Sequence, residues 1–382
     1  MIGQQAAAER LFYDFCLEDH VPTDHLLRGI DHVLDLSEVR QDLKPFYSQM
    51  GRPSVDPELM IRMLLIGYCF GIRSERRLCD EVHLNLGYRW FCRLGLESRV
   101  PDHSTFSLNR HGRFRESDTF RLVFESVVRR CMAAHLVGGE GFAIDASAME
   151  ADASRYRGVA GDEPIDWSDP RLNTRAVREY LDALDPEPDP VRKPPKTISL
   201  SDPSSAWTAK ANKRVQFGYG LNYLIDNDNA IIVDVEATPA RTYDKEHDIY
   251  VCPGGNLLNT TGKVHADNTL RYLALKHDCE ACPLKQNCCP NTTSRKIPRD
   301  VNEEAREYAR SLADTEPYEQ SCRERKKVEM LFAHLKRHLG FERLRLRGLT
   351  GASDEFLLAA TVQNLKRLAK LTATPPPSPQ PT

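Results

Sequence analysis

The sequence lacks a strong net charge, long apolar runs and internal repeats. Its formal net charge is −3 over 382 residues, which does not by itself indicate a nucleic-acid partner. The most apolar helical stretch, Met60–Ile72, is too short to span a bilayer, and no apolar run follows a basic N-terminal start. We therefore expect a cytoplasmic protein without a secretory signal or a membrane span.

The charges that are present are unevenly distributed along the chain. Residues 321–370 carry twelve Lys and Arg against five Asp and Glu, whereas residues 161–190 carry nine acids against three Arg. This segregation is compatible with one face that contacts phosphate, but a solvated helix face produces the same pattern.

Hydrophobic periodicity divides the chain into segments and predicts a mixed, α+β fold class. The segments are a helical N-terminal domain at 1–137, a strand-containing core at 138–248 with an acidic, proline-rich insertion at 160–202, a cysteine-rich segment at 249–300, a helical part at 301–371 and a disordered tail at 372–382.

Within the N-terminal domain, Met60–Leu84 contains two helical stretches joined by the short sequence GIRS. Asp56, Pro57 and Glu58 supply the first stretch with an N-cap, a proline at the first helical position and an early acid. The pair is compatible with a helix-turn-helix that reads DNA and also with a plain helical bundle.

Three strands are predicted after the helical domain. Phe142–Ile144 is a short apolar strand that ends in Asp145, and Gln216–Asp226 with Ala230–Thr238 forms a hairpin with a tight turn. A carboxylate at the carboxyl edge of a sheet suits a hard cation. An aspartate at a strand end also commonly forms a turn or a helix cap.

Near the C-terminus, Arg323–Arg337 predicts a helix. Arg325, Glu329 and Lys336 share one of its faces, because they are four and seven residues apart. A surface ion pair between Arg325 and Glu329 explains the same spacing without any function.

Taken together, these features resemble the transposases of bacterial insertion sequences, in the large "insertion sequence five" group, with DDE chemistry on an RNase H-like core. The resemblance extends from Arg10 to Leu371. It is carried by GRPSVDPELMIRMLLIGYCFGIRSERRL, PDHSTFS, FAIDAS, YLIDNDNAIIVDVEATPART, RERKKVEMLFAHLKR, LRLRGL and DEFLLAATVQNLKRLAKL.

The resemblance implies a role for each matching residue. Asp145 matches the first acid of the catalytic triad and Glu329 matches the third, so both would bind Mg²⁺ for phosphoryl transfer on DNA. Arg325 and Lys336 match residues that contact DNA phosphates near the scissile bond, and Cys322 stands where the family pattern has a tyrosine. The expected partners are double-stranded DNA with terminal inverted repeats and further copies of the chain.

The second acid of the triad has no counterpart. In the family it follows a parallel strand reached by a helical crossover, and such a unit takes roughly 30 residues. Only fifteen residues separate Glu236 from Cys252. We interpret this as an internal deletion, so that the RNase H-like core lacks its crossover helix, its central strand and the second aspartate.

The deletion leaves several hypotheses open. Asp244 or Asp248 would replace the lost acid only with very precise geometry. A zinc-hydrolase site at Glu246 and His247 is disfavoured because adjacent residues point apart. The resemblance therefore leaves three hypotheses for the chain: a transposase with lost or severely reduced catalysis, a DNA-binding regulator of transposition, or a relic that does not fold stably.

The cysteine-rich segment predicts a structural zinc site. Cys279, Cys282 and Cys288, together with Cys252 upstream, supply four thiolates, with Cys289 and His265 as rival ligands. Free, partly buried thiols are the alternative. A zinc site here would direct a basic loop toward DNA, and its cations are Lys285, Arg295, Lys296 and Arg299.

The remaining cysteines considered have apolar surroundings on predicted helices, and we expect them to be core residues. They are Cys16, Cys69, Cys79, Cys92 and Cys131.

Overall fold

The computed structural model describes residues 15–48, 50, 54–138, 141–184, 195–208, 214–240, 250–251, 257–264, 269–280, 282, 285–300, 329–337 and 339–372. By its internal contacts the chain divides into two compact units. The first is Met1–Arg241 together with Arg325–Thr382, and the second is Thr242–Glu324. The secondary structure is mixed α/β.

The described residues before the first strand form a series of helices, with a short 3-10 turn at Lys44–Phe46. The helices are α1 Leu17–His20, α2 Leu26–Val33, α3 Val39–Leu43, α4 Pro57–Phe70, α5 Glu75–Leu84, α6 Leu86–Phe91, α7 His103–His111 and α8 Thr119–Ala133. The prediction of an extensively helical N-terminal part is confirmed.

The ends of α4 are set by residues visible in the sequence. The Asp56 carboxylate accepts a hydrogen bond from the Glu58 amide at 2.9 Å, and Gly71 ends the helix in the left-handed region with φ 69°. Every residue from Met60 to Cys69 is buried. Because α4 is buried on all sides, it is a core helix of the bundle, and of the α4–α5 pair only α5 has an extended exposed face.

The first unit contains an antiparallel sheet in which β5 lies between β1 on one side and both β4 and β6 on the other. The predicted hairpin is confirmed as β5 and β6. The strands of this unit, including a separate β2–β3 pair, are β1 Phe142–Glu150, β2 Gly158–Ala160, β3 Thr197–Ser199, β4 Ala206–Thr208, β5 Gln216–Asp226 and β6 Ile232–Pro239. The acidic insertion contains a short helix, α9, Arg175–Asp182.

The expectation that Asp145 ends a buried strand is wrong. Asp145 is the fourth of nine residues in β1, and the strand continues to Glu150 because its small residues remain paired with β5. Phe142 and Ile144 are 45% and 80% exposed. In the described part of the chain β5 is the only strand paired along β1, and on its other edge only Glu150 forms a bridge, to Arg343.

Two C-terminal helices complete the described part of the first unit: α12, described over residues 329–337, and α13, Leu349–Thr372. The buried helix α13 packs against α2, α4, α8 and β6. Asn364 on α13 accepts a hydrogen bond from the Ile232 amide at 2.9 Å and donates one to the Ile232 carbonyl at 2.7 Å. This helix therefore satisfies backbone groups of β6 and joins the sheet to the N-terminal helices.

The second unit contains a four-stranded antiparallel sheet in the order β10-β9-β8-β7, which the sequence analysis did not predict. Its elements are β7 Tyr250–Val251, β8 Leu257–Val264, β9 Thr269–Leu273, α10 Lys276–Glu280, α11 Lys285–Cys288 and β10 Lys296–Asp300. Among the helices that the structure describes, none is long and apolar enough to cross a membrane.

Four of the five cysteines expected in the helical core are buried: Cys69, Cys79, Cys92 and Cys131. The prediction is wrong for Cys16, which is exposed. It occupies the N-cap position of α1, a four-residue helix without buried residues, so no apolar stripe covers its thiol.

Candidate active site

Asp145 faces the side of the sheet that α12 covers. In the β1–β5 ladder Asp145 lies directly opposite Tyr223, and cross-strand partners project from the same face of a sheet. The Tyr223 ring is fully buried and stacks on Phe332 of α12, with 5.1 Å between centroids and 17° between planes. The Asp145 side chain is half-buried, and its Oδ1 accepts a hydrogen bond from the Ala146 amide at 2.8 Å.

Glu329 lies on the flank of α12 next to the Phe332 stack. Phe332 and Leu335 are buried toward the sheet, whereas Glu329 is exposed. Because Glu329 precedes Phe332 by three residues, it is about one helical turn, or ~4.5 Å, away along the axis. The structure thus places Asp145 on the face of the sheet that α12 covers, and Glu329 on an exposed position of α12 itself.

Lys336 is held by β1. Its Nζ donates to Ser147 Oγ at 2.6 Å and to the Ala148 carbonyl at 3.2 Å. Glu329 and Lys336 are seven residues apart, so they lie on the same flank of α12, and that flank faces β1. Ser147, two residues after Asp145 on the same strand face, was not among the predicted site residues, because the predicted strand ended at Asp145.

Several predicted site residues lie outside the described residues. They are Arg325, the polar cluster of Asp244, Glu246, His247 and Asp248, and the zinc candidates Cys252 and His265. Where the structure does describe the chain, no group of three or more His, Cys, Asp or Glu side chains has the arrangement to hold a metal ion.

The described cysteines of the second unit lie close to one another. Burial, followed by the neighbouring Cys279 and Cys288 thiols, raises the pKa of the Cys289 thiol. Cys282 donates its amide to the Cys279 carbonyl at 3.3 Å. The rival ligand Cys289 is thus the thiol that the structure places beside Cys279 and Cys288.

Of the basic loop predicted to face DNA, one cation is turned inward. Arg295 donates from Nη1 to the Cys288 carbonyl at 3.0 Å, and its amide donates to Cys279 Sγ at 3.4 Å. Lys296 is exposed and Lys285 is half-buried. Arg295 therefore serves the packing of the cysteine segment.

Comparison with known protein families gives two matches. A family described as "Transposase domain (DUF772)" matches residues 15–112, and a family described as "Transposase DDE domain" matches residues 251–369. Residue 145 lies between the two matched ranges, whereas residues 325, 329 and 336 lie within the second. No solved structure matches the chain.

A helical N-terminal part that matches one transposase domain, followed by a mixed α/β part that ends in a DDE domain, defines a DNA transposase. Together the two matches indicate a DDE-type transposase of an insertion sequence. Such a domain implies DNA as the partner and a divalent metal such as Mg²⁺. The side chains of Asp145 and Glu329 are suitable ligands for such a metal, because carboxylate oxygens are the ligands that a hard cation prefers.

Proposed function

We propose that this chain binds the terminal inverted repeats of an insertion sequence and carries an incomplete DDE site whose cleavage and strand transfer are lost or severely reduced. The observation that carries the proposal is the pairing of β1. Asp145 lies on a strand that, among the described residues, pairs along its length only with β5. Ten residues connect Pro239 at the end of β6 to Tyr250 at the start of β7. That is too short for a strand–helix–strand crossover of roughly 30 residues.

In this proposal Asp145 and Glu329 are the remaining acids of an RNase H-like core. A bound Mg²⁺ would polarise the phosphate and lower the pKa of a water or hydroxyl nucleophile. The Tyr223–Phe332 stack holds the helix that bears Glu329 against β5, the strand that pairs with the Asp145 strand. Two carboxylates hold one ion with waters, but placing a second ion normally requires the absent bridging acid. This is why we propose a severe loss of phosphoryl transfer.

The experiment is Mg²⁺-dependent cleavage of duplex DNA that carries the terminal repeats flanking the encoding locus. The wild-type chain is compared with Asp145→Ala and Glu329→Ala at equal protein concentration. Residual cleavage that both substitutions abolish supports the two-carboxylate site. Equal signals from all three chains refute any catalytic contribution of Asp145 and Glu329.

The same preparations test the second function, a regulator that occupies transposon ends without cutting them. The impaired site favours it, because DNA binding does not require the acids. Binding that persists in both variants and weakens steeply with salt supports the regulator. Binding that is no tighter for terminal repeats than for unrelated duplex DNA contradicts recognition of the ends, and therefore both functions.

We also propose that the cysteine segment binds a structural zinc ion, with Cys279, Cys282, Cys288 and Cys252 as the ligands and Cys289 as the rival for one place. The proximity of the Cys279, Cys288 and Cys289 thiols supports this proposal. Thiolates are the ligands that Zn²⁺ selects, and four of them close a tetrahedral site.

A further inference from the structure

The contacts of Lys336 differ from those of a cation that points toward DNA. An ammonium group has three N–H donors, and β1 takes two of them through Ser147 Oγ and the Ala148 carbonyl. The Lys336 side chain is half-buried, and Ser147 is buried, with 7% of its surface exposed. A hydrogen bond from a charged donor in such surroundings is stronger than one between neutral groups.

These contacts join α12 to the strand that bears Asp145. Elsewhere on α12, Phe332 stacks on Tyr223 of β5, and Gln363 of α13 donates to the Leu331 carbonyl at 3.0 Å. Lys336 contacts β1 itself. Ser147 is two residues from Asp145, so the contact is about 6.6 Å along the strand from the Asp145 backbone.

We infer that Lys336 is a positioning residue that latches α12 onto β1 through Ser147 and thereby sets the separation of the Asp145 and Glu329 carboxylates. It does this in place of contacting a DNA phosphate. The inference rests on the proposed function, because it assumes that these two carboxylates share a metal ion. Metal sites tolerate displacements of only about 0.5 Å, so a helix that shifts on its strand weakens the shared ion.

The latch and the phosphate contact make opposite predictions for Lys336→Met, which keeps the aliphatic stem and removes the donors. A phosphate contact contributes about 0.9 to the slope of log K against log salt for binding to duplex DNA. If Lys336 is a latch, the slope is unchanged. The affinity for Mn²⁺, used as a spectroscopic probe of the carboxylate site, falls roughly tenfold or more, as when an outer-shell partner of a metal site is removed.

Variants of Ser147 and a matched lysine sharpen the test. Ser147→Ala should weaken Mn²⁺ binding as Lys336→Met does, the double variant should be no worse than either, and Ser147→Thr should retain affinity because it keeps the hydroxyl. Lys370→Met removes one exposed lysine from α13 and is the control for loss of charge. Far-UV circular dichroism and the unfolding midpoint confirm that each variant is folded.

The outcomes separate the latch from the function on which it rests. If Asp145→Ala binds Mn²⁺ as well as the wild-type chain does, the proposed carboxylate site fails and the latch fails with it. If Asp145→Ala loses the ion while Lys336→Met and Ser147→Ala retain it, only the latch is refuted. A slope that falls by about 0.9 in Lys336→Met but not in Ser147→Ala also refutes it, in favour of a phosphate contact.

Discussion

Glu355, a fully buried carboxylate on α13, offers the sharpest test of how the first unit is held together. Arg73 donates to Glu355 Oε2 at 2.5 Å and Tyr68 Oη lies 3.3 Å from the same oxygen. The amides of Arg345 and Leu346 donate to Oε1 at 2.5 and 2.6 Å. One carboxylate therefore connects α4, the turn after it, and the segment between α12 and α13.

Glu355→Gln removes the charge but keeps an oxygen that can accept from the two amides. Arg73, whose side chain is only 13% exposed, loses its carboxylate. Removing one partner of a buried ion pair costs about 3–5 kcal/mol. Because the amide contacts survive, we expect the lower end, about 3 kcal/mol, which corresponds to roughly 5 °C in the unfolding midpoint of a unit as large as the first one.

The assay is thermal and urea unfolding followed by circular dichroism, with Glu81→Gln as the matched control. Glu81 pairs with Arg77 at 3.2 Å on the surface of α5, with exposed fractions of 37% and 68%, so the control should lose less than about 0.5 kcal/mol. If Glu355→Gln shifts the midpoint no more than Glu81→Gln, the buried pair does not connect these elements as we argue.

Three further predictions concern stability and metal binding. Burial raises the pKa of Asp202 to about 6, so between about pH 4 and pH 6 the folded state keeps a proton that the unfolded state has lost, and the free energy of unfolding falls as pH rises from about 4 to about 6. In urea unfolding at several pH values, Asp202→Asn should remove about 3 kcal/mol of that fall. Equal pH profiles for the two chains would contradict this. Gly71→Ala should lower the free energy of unfolding by about 1–2 kcal/mol in the same assay, because φ is 69° and the new Cβ would lie 3.2 Å from the Leu339 carbonyl oxygen. An unchanged unfolding midpoint would show that the turn relaxes to accommodate the methyl group. Elemental analysis should find one zinc ion per wild-type chain and none in Cys279→Ser; equal zinc content in the two chains would exclude Cys279 as a ligand.

Local signals in the sequence predicted the helices and the hairpin well. Asp56 and Gly71 mark the two ends of α4 by capping chemistry alone, and the structure confirms both ends. The turn between β5 and β6 was equally predictable from its polar residues. These elements depend on neighbours within a few positions, so the linear sequence contains the information that sets them.

The extent and environment of β1 could not be predicted in the same way. The apolar signal stops at Ile144, and the small residues from Ala146 onward have weak strand propensity, yet the ladder with β5 carries the strand on to Glu150. The exposure of Phe142 and Ile144 depends on what packs on their sheet faces, which is set by distant parts of the chain. Likewise, the contact between Lys336 and Ser147 joins residues 189 positions apart, which no local pattern contains.

The structure of the first unit argues against the hypothesis that the chain is a relic unable to fold. One continuous apolar core extends from Val21 in the N-terminal helices, through Tyr223 of β5, to Ala369 of α13. The Glu355 pair and the Lys336 contact join the same parts by polar bonds. A core shared in this way should unfold as one cooperative transition, with coincident curves from circular dichroism and tryptophan fluorescence. Broad, non-coincident curves would contradict this and restore the relic hypothesis. A single transition leaves two functions, the impaired transposase and the regulator, and assays of DNA binding and cleavage distinguish between them.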